Sequence, residues 1–159
     1  MMILCPHFLI DIMKNLVIIG AGGMGRTIFD VARESIGYGI EYTIKGFIDD
    51  NLSALDGFED YPPMLGTISH YLPEVDDVFT FSIGGESRRV CIEYLMERNA
   101  KFINIVHSTA RIGSNVRMGE GNVIGAFTSL GADCSIGSYN MIQSYTVIGL
   151  SLIHISEPT

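Results

Sequence analysis

The sequence has no tryptophan, only five prolines and three cysteines, and only 18% of its 159 residues are charged. Each shortage excludes something. A chain that is 47% apolar with so little charge is not disordered, because disordered chains are poor in large apolar residues and rich in charge. Few prolines, and glycines that do not recur at every third position, exclude a collagen-like chain. Cys5, Cys91 and Cys134 are odd in number, widely separated and free of any CxxC pattern. Neither a disulfide framework nor a metal site is therefore expected, and a reducing cytoplasm is the simplest compartment. A net charge of −8, from 10 basic against 18 acidic residues, argues against nucleic acid as the main partner. No run approaches the ~20 apolar residues that a membrane helix needs.

What is present divides into unlike stretches. Residues 1–12, opening Met1-Met2-Ile3-Leu4-Cys5-Pro6, superficially resemble a signal sequence. They lack a basic start and a small-residue cleavage site, and Pro6 interrupts them, so they read as an extension before Met13. Over 13–105, strand and helix signals alternate. Leu16–Ile19 reads as a buried strand closed by Gly20, and Arg26–Ile36 as a helix with Ile28, Val31, Ala32 and Ile36 on its stripe. Tyr42–Ile48 reads as a strand interrupted by Lys45, and Leu52–Leu65 as a loop. Val78–Ile83 reads as a strand, Arg88–Arg98 as a helix, and Phe102–Val106 as the last strand. The alternation predicts right-handed βαβ crossovers and a parallel, Rossmann-like sheet.

Residues 106–149 keep a different period. Counting in sixes from Val106 gives Ile112, Met118, Ile124, Leu130, Ile136, Ile142 and Ile148, all large and aliphatic. Glycine follows at 113, 119, 125, 131, 137 and 149, and small or compact residues such as Asn122, Thr128 and Cys134 stand four places after an aliphatic. Such a repeat predicts a solenoid. Six residues form one flat face and a tight corner, three faces close a triangular coil, and the aliphatics stack inward. The predicted form is a left-handed parallel β-helix, with glycine relieving crowding where the backbone turns.

On these motifs the chain resembles the bacterial sugar acyltransferases of the sialic acid O-acetyltransferase type and their relatives, the UDP-4-amino-sugar N-acetyltransferases. The residues that carry the likeness are Gly20-Ala21-Gly22-Gly23-Met24-Gly25-Arg26, Gly46-Phe47-Ile48-Asp49-Asp50, Ser82-Ile83-Gly84, and Asn104-Ile105-Val106-His107-Ser108-Thr109-Ala110 before the hexads. The resemblance implies an acetyl-CoA-dependent transferase acting on a nucleotide-linked amino sugar or a sialic-type sugar in surface glycan synthesis. It also implies a homotrimer. Gly20, Ala21, Gly22, Gly23, Asp49, Asp50 and Gly84 become the expected sugar-nucleotide site. In that reading the glycines cradle the nucleotide, and the two aspartates accept hydrogen bonds from uracil N–H or ribose hydroxyls.

Two alternatives stay open. Gly20, Gly22 and Gly25 also fit G-x-G-x-x-G between a strand and a helix, the fingerprint of an NAD or FAD module. Against it, about ninety residues are short for the usual six-stranded sheet. The other alternative is a purely structural solenoid. Among remaining candidates, His107 reads as a structural turn residue, Cys134 as buried and inert, Arg88 and Arg89 as a solvated helix face, and Met118 as core.

The resemblance places a catalytic His, paired with Asp or Glu, directly after an Ile-Gly of the solenoid. Here Leu150 follows Ile148-Gly149, and 150–159 leave the hexapeptide phase. The expectation is a chain truncated before its catalytic base, with a non-native tail in which His154 has no role. Such a chain would be inactive alone and prone to weak, aggregating self-association, because Ile136, Ile142 and Ile148 would face an open end.

Overall fold

The computed structural model describes residues 12–149; the expectations for the 1–12 extension before Ile12, for Leu150 and for the 150–159 tail lie outside them. In chain order, β1 (Lys14–Ile19) leads to α1 (Gly23–Arg33), β2 (Tyr42–Ile48), β3 (Met64–Gly66), β4 (Asp77–Phe81), α2 (Gly85–Met96) and β5 (Lys101–Phe102). The five strands form one parallel sheet in the order β3-β2-β1-β4-β5. β1 is buried along its apolar run because both faces are covered. Leu16 and Ile18 pack with Ile28, Phe29 and Ala32 of α1, whereas Val17 and Ile19 pack with Ile92 and Leu95 of α2. The order reverses between β1 and β4, and in such a sheet the ligand crevice opens there, at the carboxyl ends of the strands.

Three local expectations shift. α1 starts at Gly23 and ends at Arg33, so Ile36 lies beyond the helix and is 63% exposed. Val90 of the expected α2 stripe is likewise exposed. The loop expected over Leu52–Leu65 ends in an edge strand, β3, whose pairing to β2 is short and irregular.

Lys45 interrupts the apolar pattern of β2 for a reason. Leu16 pairs with Ile44 and Val17 with Gly46, so Lys45 is the extra residue of a bulge. Its ammonium lies 2.9 Å from Oδ1 of buried Asp77 and 2.9 Å from the Tyr71 hydroxyl. Tyr71 donates to Asp77 Oδ2 at 2.6 Å, and the Glu74 N–H donates to the same oxygen at 3.0 Å. Burial works against the charges. The hydrogen bonds from Tyr71, the Glu74 backbone and Lys45 nevertheless hold the Asp77 carboxyl below its ordinary value, and the same contacts raise Lys45.

The second unit is a parallel β-helix. Eight two-residue rungs follow: β6 (Ile105–Val106), β7 (Arg111–Ile112), β8 (Arg117–Met118), β9 (Val123–Ile124), β10 (Ser129–Leu130), β11 (Ser135–Ile136), β12 (Met141–Ile142) and β13 (Val147–Ile148). They stack as three faces, β6-β9-β12, β7-β10-β13 and β8-β11. The strand expected over Phe102–Val106 therefore divides: Phe102 closes the sheet, and Ile105 already belongs to the coil, paired with Val123.

The hexad glycines serve coil stacking more than turning. A Cβ on Gly125 would lie 2.6 Å from the Ser144 nitrogen of the next coil, and one on Gly113 would lie 2.6 Å from the Ala132 nitrogen. The turns themselves fall two residues later. Asn115, Gly121, Phe127, Asp133, Tyr139 and Tyr145 all have φ between 54° and 71°, one at each successive corner. The corners are laddered as well. Asn115 donates to Asp133 at 3.0 Å, and the Phe127 and Tyr145 rings stack at 5.2 Å. An asparagine ladder, with Asn122 buried at its centre, runs up another corner. Asn104 Oδ1 accepts the Asn122 N–H, and Asn122 Oδ1 accepts the Asn140 N–H, each at 2.9 Å.

Of the stacked aliphatics, Ile124, Leu130, Ile136, Ile142 and Ile148 are buried. The exposed one is in the first coil: Ile112 is 38% exposed because no rung precedes β7 on its face. Cys134 is buried in the coil core, as read from the sequence, and Met118 packs against that core half-buried.

Removing Asp77 strips Lys45 and Tyr71 of their buried carboxylate and leaves Lys45 only the exposed Glu74, 3.2 Å away. Asp77→Ala is expected to lose about 3 kcal/mol of stability at neutral pH, measured by denaturant unfolding. Because the folded Asp77 carboxyl lies below its ordinary 3.8, its contribution is complete above about pH 4 and disappears as the pH falls through the folded value. The difference between wild type and variant should hold constant from pH 7 to 5 and close in stronger acid.

Candidate nucleotide-sugar site

The crevice at the strand reversal is built from two glycine turns. After β1 the chain passes through Gly20, whose φ of +94° suits glycine. A Cβ there would collide with the Ser82 side chain, and a Cβ on Gly25 would collide with the Gly20 carbonyl. These two glycines let α1 start directly above the end of β1. Ser82, at the end of β4, donates from Oγ to the Ile19 carbonyl at 2.8 Å and ties the two turns together. Gly22 and Gly23 are different: Gly22 has nothing within 4 Å of a Cβ position, and Gly23 only the tip of Arg26 at 3.8 Å. Their backbone faces open space. In the turn after β4, Gly84 is equally open and caps α2, as Gly22 caps α1. Neither cap is made by a side chain, so the first N–H groups of both helices are left for water or an anion.

The two aspartates stand at the end of β2 and are already engaged. Asp49 Oδ2 accepts the Ala21 N–H and Oδ1 accepts the Asn51 N–H, both at 2.8 Å. Asp50 Oδ1 accepts the Ile68 N–H at 3.0 Å and anchors the turn after β3. Asp49 thus holds the glycine turn in place, and a carboxylate with two such bonds keeps lone pairs for further donors. The structure brings Gly20, Ala21, Gly22, Gly23 and Asp49 together in one wall of the crevice. Asp50 turns away toward Ser69, and Gly84 lies in the neighbouring turn after β4, where Ser82 and Ile83 abut Gly20.

Sequence reasoning passed over two neighbours of this site. Arg26, in the first turns of α1, places its guanidinium 3.7 Å above the Phe58 ring, and Phe58 comes from the 52–65 loop. The signal available was a basic residue directly after the third glycine. Below α1, a cleft of about 270 Å³ separates Met24, Thr27 and Val31 from Val123, Met141 and Gln143 of the coil.

His107 joins the two units. Its Nδ1 accepts the Thr109 N–H at 3.1 Å, so its proton sits on Nε2 and is donated to Glu34 Oε2 at 2.8 Å. The Ile36 N–H donates to the Val106 carbonyl, and Ser108 N–H to that of Glu34. His107 is thereby a structural joint between the end of α1 and the first coil. Arg89 is a solvated helix-face residue, paired with Glu86 and Glu93; Arg88 is half-buried over the Phe81 ring. Among the described residues, no group of three potential ligands could hold a metal ion, and no helix is long and apolar enough to cross a membrane.

Residues 15–94 match the PglD N-terminal domain, and residues 115–150 match the bacterial transferase hexapeptide repeat. The chain belongs to the PglD N-terminal domain family. Its coil is the left-handed parallel β-helix of the hexapeptide transferases. The sequence is 30% identical over 116 residues to a UDP-N-acetylbacillosamine N-acetyltransferase of Bacillus subtilis (strain 168), a match that covers 70% of this chain and 51% of that protein. The chain therefore spans about half the length of this curated relative. Two solved structures share the fold. PerB from Caulobacter crescentus, in complex with CoA and GDP-perosamine, has a TM-score of 0.69 at 23% identity, covering 86% of this chain and 63% of that one. The acetyltransferase domain of PglB from Neisseria gonorrhoeae FA1090 has a TM-score of 0.65 at 21% identity, covering 86% and 68%.

The glycines of this loop separate by experiment into packing and site positions. Gly25→Ala is expected to cost more than about 2 kcal/mol, because the strand–helix junction must move. Gly22→Ala, with open space and an ordinary φ of −71°, should change stability by less than about 0.5 kcal/mol in the same unfolding measurement.

Proposed function

We propose that this chain is the nucleotide-sugar-binding part, with the first coils, of an acetyl-CoA-dependent transferase that acetylates the amine of a nucleotide-linked amino sugar for surface glycan synthesis in the cytoplasm. The observation that carries the reading is the placement of an open glycine crevice, at the sheet's strand reversal, beside a hexapeptide coil. Gly20, Ala21, Gly22, Gly23 and Gly84 would take the nucleotide and its phosphates, with Asp49 fixing the turn and Asp50 its neighbouring loop. The sugar would then lie toward the cleft between α1 and the coil, which Met24 lines beside the glycine turn. The B. subtilis relative, named as a UDP-sugar N-acetyltransferase, supports the same class. A sialic-type sugar is the less supported acceptor, since the B. subtilis relative is named for a UDP-linked amino sugar. A redox dinucleotide module finds no support in these relatives.

In the proposed reaction the sugar amine attacks the thioester carbonyl of acetyl-CoA, a base removes the amine proton, and CoA leaves as the thiol. Neither histidine among the described residues is placed for that work. Both nitrogens of His107 are engaged by Thr109 and Glu34, and His70 sits in the exposed turn after β3, its Nδ1 2.9 Å from Thr67 Oγ1.

Three measurements test the reading. A UDP-linked 4-amino sugar at a hundredfold excess over its Kd should stabilise the chain by about 2.7 kcal/mol in thermal unfolding, whereas NAD and free sialic acid should not. Residues 1–159 should release no thiol from acetyl-CoA above a no-enzyme control. Light scattering over a dilution series should show a concentration-dependent oligomer; a trimer that persists at sub-micromolar concentration would mean that these coils suffice for tight assembly.

A further inference from the structure

Arg26 is half-buried at the mouth of the glycine crevice, and among the described residues no carboxylate lies within ion-pair distance of it. That is notable in a chain of net charge −8, with Asp49 bound to the same Ala21 that Arg26 touches. The guanidinium is fixed from two directions. One face lies 3.7 Å from the centroid of Phe58, and Nη1 donates weakly to the Ala21 carbonyl at 3.4 Å. Its Nη2 reaches to 3.8 Å from where a Gly23 Cβ would stand, directly over the open part of the loop. A guanidinium carries five N–H donors in a rigid fork that suits phosphate oxygens. Among the described residues only one of those donors has a partner, and Phe58 has already removed much of the side chain's freedom.

We propose that Arg26 recognises the diphosphate of the nucleotide, held ready by Phe58, so that the 52–65 loop contributes to ligand binding without touching the ligand itself. The inference rests on the nucleotide-sugar reading and adds a residue to it. The ligand class is a nucleoside diphosphate, and the base is left to the rest of the crevice. Phe58 is 49% exposed, and the Arg26 guanidinium lies 3.7 Å from the centroid of its ring. Its use here is as a platform for a cation that would otherwise sample many rotamers. Phe58 acts through Arg26 and is a positioning residue.

The test titrates UDP, GDP, uridine and guanosine calorimetrically into wild type, R26Q, R26K and F58A. Wild type should bind one of the diphosphates more tightly than its nucleoside. R26Q should bind that diphosphate about tenfold or more weakly while its affinity for the nucleoside stays unchanged. R26K keeps the charge but loses the fork and the flat stacking face, so it should recover only part of the loss. F58A leaves the Ala21 contact in place and should cost the diphosphate about two- to fivefold and the nucleoside nothing. Unchanged diphosphate affinity in R26Q overturns the inference, and so does an equal loss for nucleoside and diphosphate. Failure of the wild type to bind either diphosphate overturns the nucleotide reading itself.

Discussion

The position of the crevice depends on one carboxylate. Asp49 stands where β2 ends, and its two oxygens take the N–H of Ala21 on one side and of Asn51 on the other. Charge-assisted bonds of this kind are about twice as strong as neutral ones. They hold the turn at Ala21, beyond the bonds that Ser82 and Ile48 make to Gly20, while Gly22 and Gly23 have almost nothing against them. The loop is therefore open above and pinned from the side. It can expose its backbone to a ligand without collapsing onto its own strand.

The relation of crevice to coil is fixed by a second set of contacts. The end of α1 meets the first rung through Glu34, His107 and the Ile36–Val106 bond. On the other face of the sheet, the Phe102 and Tyr139 rings meet edge-on at 5.4 Å, and Tyr139 also donates to Glu120 at 2.8 Å. Its hydroxyl is correspondingly reluctant to ionise, through burial and the adjacent carboxylate. Ile105 and Val123 belong to the same buried cluster as Leu16 and Phe47, so the sheet's core continues into the coil. These contacts pack the sheet against the first coils.

The hexapeptide period was legible because every inward position repeats an aliphatic and a solenoid has no other way to bury one. The parallel sheet was legible for the related reason that β1 and β4 are covered on both faces. The glycine fingerprint was visible too, but its division of labour was not. Nothing in the letters separates Gly25, against a carbonyl, from Gly22, against open space. Lys45 looked like noise in a strand, because a bulge leaves no mark in the apolar pattern except the interruption itself. β3 was missed because three residues at a sheet edge carry too short a pattern to be read. The left-handed corners escaped for a different reason: phenylalanine and tyrosine are poor indicators of positive φ. Phe127, Tyr139 and Tyr145 adopt it where their N–H groups bond to the preceding coil, at Thr109, Glu120 and Ala126.

The corner ladders also limit how such a chain can change in length. Each rung pairs with the residue eighteen places on, as Ile105 does with Val123 and Ile124 with Ile142. Inward aliphatic, compact neighbour and left-handed corner are locked to the same count. Inserting one residue within a rung would put all three out of phase in every later coil, much as a one-residue slip turns a strand inside out. Inserting a whole coil would disturb only its two neighbours. Length in this unit is therefore quantised. Viable variants grow or shrink by entire turns, or bulge outward at a corner where the added residues leave the count untouched.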